Sequence, residues 1–156
     1  EKTYGDNGED GFNMITRGKD NNFIAVGYSG SFFSKGMKDV LMVKIDSLGN
    51  KMWMNLYGGK SDDIANSVFE CKDSGFALAG ETTSFGSGKN DILILKTNSN
   101  GVQKWKSTIG GKGVDIGRSI EELPKGGFIV SGTSTISNLS FDSILIKTDK
   151  KGKTSN

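Results

Sequence analysis

The chain carries 18 Asp and Glu residues, no histidine, one cysteine and only two arginines among its 20 basic residues. Without histidine there is no Ser-His-Asp or Cys-His nucleophile and no His-bearing metal site. Carboxylates are what remains for chemistry. Asp10, Asp63 and Asp115 recur at intervals of 53 and 52, and Asp39, Asp91 and Asp142 at 52 and 51. Two chemistries suit such acids: paired carboxylates for glycoside hydrolysis, and oxygen ligands for Ca²⁺. Asp6 to Gly11 (Asp-Asn-Gly-Glu-Asp-Gly) is the most calcium-like stretch, but it lacks an oxygen ligand at its third position and the terminal Glu of an EF-hand. Calcium candidates are therefore Asp6, Asp10, Asp63 and Asp115, beside a plainer role in which short carboxylates accept backbone N–H groups and fix loops. Acids that recur symmetrically do not supply the unequal environments that a catalytic acid and base require. Cys71 aligns with Gly18 and Leu123, which points to a small buried side chain rather than a reactive thiol.

The intervals belong to a repeat that runs through the chain. Gly27, Gly80 and Gly132 share it, as do Lys44, Lys96 and Lys147, and Gly49, Gly101 and Gly152; Trp53 and Trp105 are 52 apart. The 156 residues are three periods of 52. Hydrophobic content is 34%, with 23 Gly against one Pro, which suits short strands joined by tight turns. No window holds a sustained 3.6-residue apolar period, and no apolar run reaches the ~18 residues of a membrane span. No signal peptide is visible. The net charge of +2, the interspersed acids and the dominance of Lys over Arg argue against a nucleic-acid partner.

Four strands fit each copy. In the middle copy they are Asn66–Cys71, Phe76–Gly80, Asp91–Lys96 and Val102–Ile109. Asp91-Ile-Leu-Ile-Leu-Lys96 is a continuous apolar run, as a strand buried on both faces should be. An Asp/Asn-x-x-Gly turn follows it in every copy, and the fourth strand is polar with one Trp. Four antiparallel strands per period, the third buried on both faces, predict an all-β chain of β-propeller blades. The expected division is 6–57, 58–109 and 110–156 for three four-stranded blades, and 1–5 for an outer strand.

The middle copy reads Tyr57-Gly58-Gly59-x3-Asp63, then Ser67-Val68, Gly75-Phe76-x3-Gly80, Asp91-x4-Lys96 and Gly101-x3-Trp105. This resembles the ~50-residue propeller repeats of secreted or lipid-anchored bacterial and archaeal surface proteins. The resemblance covers the whole chain. It implies a propeller and an extracellular or cell-surface setting, and no single activity. The first copy departs with Gly5-Asp6 for the double Gly, and the third lacks the Trp. Kelch repeats carry their double Gly after the second strand rather than before the first. Quinoprotein blades share the Asp-to-Gly turn and later Trp seen in Asp46 to Trp53, but their repeats are shorter.

Eight residues separate Gly49 from Tyr57 and Gly101 from Ile109, whereas four follow Gly152. Glu1, Lys2, Thr3 and Tyr4 then supply the missing half of the last outer strand. They are expected to complete a blade of another chain, two chains giving a six-bladed ring; the alternative is a fragment of a longer propeller. Function belongs where the copies differ, in the loops 28–38, 81–90 and 133–141. Phe32, Phe33, Met37, Phe85, Ile136 and Leu139 offer an apolar recognition surface there. The expected function is a non-catalytic extracellular binding or adhesion module for a glycan or protein, with no cofactor. The alternatives are a purely structural assembly unit and, behind it, a carboxylate-based hydrolase.

Overall fold

The computed structural model describes residues 1–31, 37–137 and 140–154. They contain eleven strands and no helix. No helix is long and apolar enough to cross a membrane. Strands β1 (Asp10–Arg17), β2 (Phe23–Ser29), β3 (Asp39–Ile45) and β4 (Lys51–Tyr57) form one antiparallel sheet in that order. Strands β5 (Asp63–Glu70), β6 (Phe76–Thr82), β7 (Asp91–Thr97) and β8 (Gln103–Ile109) form the second. The third holds β9 (Asp115–Glu122), β10 (Phe128–Ser137) and β11 (Ser140–Thr148). The sheets are propeller-like blades, stacked first on second and second on third.

The alternation of the sheet explains the apolar run. In β7 every residue is buried. Its Leu93 and Leu95 belong to the core that holds Val40 and Met42 of the first sheet, while Ile92 and Ile94 belong to the core that holds Ile146 and Val130 of the third. Successive side chains point to opposite faces, so a strand with a blade on each side has no wet position. Strand β6 divides likewise: Phe76 and Leu78 join the first core, Ala77 and Ala79 the second.

The first strand of each copy begins three residues before the predicted Asn66. The chain passes through a β-bulge at Asn13, Asn66 and Arg118, where the register with the second strand shifts. The bulge hides the alternation that would mark Asp63 to Ala65 as strand. It also turns an amide toward the next blade: Asn13 Nδ2 donates to Ala65 O (2.9 Å) and Asn66 Nδ2 to Gly117 O (3.0 Å). The turn before the fourth strand is set by its acid or amide. Asn98 Oδ1 accepts the N–H groups of Asn100 and Val102, and Gly101 takes φ +76°.

The third sheet has three strands. Its fourth starts only with the bridge between Thr148 and Thr154. Glu1–Tyr4 forms no strand within this chain.

Candidate functional site

The recurrent acids open the first strands at one end of the stack. Asp63 is fully buried; its Oδ2 accepts the Gly59 N–H (2.8 Å) and the Ser84 hydroxyl (2.6 Å). Asp115 Oδ2 accepts the Gly111 N–H (2.9 Å). Asp10 accepts the hydroxyls of Ser29 and Ser31 and, at 3.3 Å, the Asp6 N–H. Burial pushes the Asp10 carboxyl up, but the two hydroxyls and the backbone bonds outweigh it and hold the group below its ordinary value. Asp91 Oδ2 accepts the N–H groups of Ser87 and Gly88, both at 3.0 Å. These carboxylates thus act on backbone N–H groups of the Gly-rich loops, where short polar side chains compete well for local partners. Of the calcium candidates, Asp6 is exposed, Asp10 and Asp115 accept loop donors, and Asp63 does so through Oδ2 while its buried Oδ1 has no donor. Among the described residues no three acidic or thiol side chains are grouped to hold a metal ion.

The loop ends of neighbouring blades are stitched by main-chain bonds. The Asp63 N–H donates to Lys38 O (2.7 Å), and the Asp115 N–H to Asn90 O (2.9 Å). Within each blade the Thr83 N–H donates to Asp62 O and the Thr135 N–H to Val114 O, which extends the pairing of the first two strands into the loops. What differs is the side chains above the stitches. Over the first junction Lys38 pairs with Glu9 (2.6 Å) and lies 4.7 Å from the Tyr28 ring centre. The hydrogen bond between them lowers the Glu9 carboxyl and raises the Lys38 ammonium from their ordinary values. Phe85 is half-buried against Gly59, with the Lys106 ammonium 3.0 Å from its ring centre. Phe85 therefore packs rather than projects.

Over the second junction a cleft of about 390 Å³ opens, lined by Lys89, Lys112, Gly113, Val114, Thr135, Ser140 and Phe141. Phe141 is 64% exposed and Met37, at the same end of the first blade, 73% exposed. Phe141, Lys89 and Lys112 line one concave surface, while the Thr135 hydroxyl accepts the Val114 N–H (2.6 Å) and fixes its floor. This is the mixture that suits an acidic sugar or peptide: apolar contact from the ring and charge-assisted hydrogen bonds from the lysines. Of the six loop residues singled out in the sequence, Met37 is exposed and Phe85 is packed. Phe32, Phe33 and Leu139, and the side chain of Ile136, lie outside the described residues. Lys89, Lys112 and Thr135 were missed. Lys89 stands where the sister copies have Met37 and Ser140, so position-by-position difference was the available signal.

The opposite end of the same junction holds a second groove, of about 520 Å³, walled by Trp105, Gly126 and five lysines. Three of those lysines are committed: Lys72 to Pro124 O (2.7 Å), and Lys96 (2.9 Å) and Lys104 (3.2 Å) to Asp73. Burial raises the Asp73 carboxyl, but the Lys96 hydrogen bond, the Gly75 N–H and the charges of Lys96 and Lys104 overcome it, and the group falls to about 2. Lys44 and Asp20 repeat the pair in the first sheet at 2.6 Å. The groove is thus built largely of blade architecture.

No family model matches the chain, and no curated protein is similar to it. The fold and the geometry of these two ends carry the functional argument.

Proposed function

We propose that the chain is a non-catalytic propeller module that binds a glycan or protein at its loop end. The observation that carries this is the cleft over the second junction, where Phe141 and Lys89 are residues that the other copies do not repeat. The recurring acids are engaged in fixing loops, which leaves no pair of carboxylates in contrasting settings for acid–base work. An extracellular or cell-surface setting is part of the same proposal and rests on the resemblance of the repeats to surface-protein blades. The test is a screen of immobilised acidic and neutral glycans and surface proteins, with Phe141→Ser and Lys89→Ala beside the parent. Binding that both substitutions abolish, with the strand circular-dichroism signal unchanged, is the expected result. A ligand held equally well by both variants, or no ligand in the screen, refutes it.

The purely structural reading draws on Phe85 and Lys38, whose loop positions are occupied in packing and pairing inside the chain. If that reading holds for the whole loop end, Phe141→Ser alters assembly or stability and no ligand is found.

A further inference from the structure

We infer that the groove at the turn end of the second junction is a second binding site, for an oligosaccharide that carries carboxylate or sulfate groups. It lies at the opposite end of the sheets from the loop cleft and does not depend on it. Its volume of about 520 Å³ admits a small ligand.

The frame of the groove recurs at the first junction. There the Lys19 N–H donates to Glu70 (2.6 Å) and its Nζ to Cys71 O (2.7 Å). In the second junction the Lys72 N–H donates to Glu122 (2.7 Å) and its Nζ to Pro124 O (2.7 Å). Lys44 pairs with Asp20 as Lys96 does with Asp73, and Trp53 meets Phe76 as Trp105 meets Phe128. The charge does not recur. Lys104, Lys125 and Lys150 line the second junction where the first has Met52, Asp73 and Ser99. The groove therefore carries five ammonium groups against two carboxylates, whereas the corresponding positions of the first junction hold three of each. Packing does not ask for the excess, since the first junction packs the same frame without it.

The excess is not taken up inside the chain. Lys125 and Lys150 are exposed, and no carboxylate pairs with either among the described residues. The stem of Lys150 lies across Gly126, where an added Cβ would stand 2.4 Å from its Cε, so the glycine lets the lysine lie along the wall. Like charges gathered in a concave site focus a field that draws an anion. Two features choose the class of anion. Trp105 is half-buried and lines the groove, and an indole gives a sugar ring an apolar face to rest on. The cations are all lysines, with neither Arg17 nor Arg118 among the walls. Lysines supply point charges with rotatable donors, which suit acid groups spaced along a sugar chain; the planar arginine fork of nucleic-acid readers is missing. One half-buried ring is also no platform for successive bases.

The test is calorimetric binding of oligogalacturonate and of dextran sulfate, beside neutral dextran and a thymidine oligonucleotide, at about 0.1 M salt, where distant charges are screened. The groove variant is Lys104→Met with Lys125→Asp and Lys150→Ser, which installs residues that the first junction already packs. The control, Lys51→Gln with Lys60→Asp and Lys147→Ser, removes the same charge outside the groove. At least one acidic oligosaccharide should bind parent and control alike, and the groove variant at least ~10-fold more weakly. Which of the two binds tells carboxylate from sulfate. In a Trp53→Phe background Trp105 is the sole tryptophan, and its emission should change on binding. Equal losses in the groove variant and the control overturn the proposal. So do the absence of binding by either acidic oligosaccharide, tighter binding of the oligonucleotide, and binding that leaves the Trp105 emission unmoved.

Discussion

Replacing Asp63 with Ala separates loop-fixing from calcium binding. The carboxylate is fully buried, and its Oδ2 receives the Gly59 N–H and the Ser84 hydroxyl at 2.8 and 2.6 Å. Hydrogen bonds to a charged group contribute about 1.5–3 kcal/mol each, and Oδ1, which finds no donor, returns about 1–3 kcal/mol when it is removed. The net loss is about 2–3 kcal/mol, a large share of the ~5–15 kcal/mol that holds a domain together. Asp115 has one such N–H donor, from Gly111, and no orphan oxygen to offset it, so Asp115→Ala should cost about 1.5–3 kcal/mol. With a urea slope of about 1–3 kcal/mol per molar, Asp63→Ala should lower the unfolding midpoint by ~1 M or more. The assay is urea unfolding followed by Trp fluorescence, in chelator and in excess calcium. The reasoning predicts the same deficit in both, with the parent indifferent to calcium. A parent stabilised by calcium, with Asp63→Ala losing that response, would refute loop-fixing as the role of this acid.

Three further outcomes follow from the packing. Phe76→Ala and Phe128→Ala each remove a ring that stacks edge-on against the Trp of the preceding blade, 6.1 and 5.8 Å between centres, and each should cost about 3–5 kcal/mol by chemical denaturation. Burial, seconded by the charges of Glu122 and Asp73, pushes the Cys71 thiol up to about 11, so alkylation near pH 8 should run ~100-fold slower than for a free thiol until the chain unfolds. Asp73 has its folded-state value depressed to about 2; its stabilisation is present above the ordinary carboxylate range and lost as pH falls through about 2. Lys96→Met should therefore flatten the acid limb of a stability-against-pH curve, by a modest amount because Asp73 is 46% exposed.

The blade was legible because its requirements recur. A strand with a neighbour on each face has no solvent-facing position, and Ile92 to Leu95 states that requirement in four residues; the turn glycines state another at fixed distance. The bulge was not legible, since the Asn of the first two copies is Arg118 in the third and the register shift is a property of the pairing. The packing of Phe85 was not legible for a similar reason. A phenyl group in a Ser/Gly loop reads as available, and only the approach of Gly59 and the Lys106 ammonium shows it covered. Lys89 and Lys112 drew no notice because an exposed lysine in a lysine-rich chain carries no signal until a cleft gathers it.

A repeat tells which side chains every blade needs, and so it also marks where a blade does without. Lys44 and Lys96 are buried against Asp20 and Asp73, but Lys147 is exposed and its counterpart acid is Lys125. Asp142 is exposed where Asp39 and Asp91 are buried, and the outer-strand Trp of the first two sheets has no counterpart in the third copy. These departures gather in the third blade, most of them along β11.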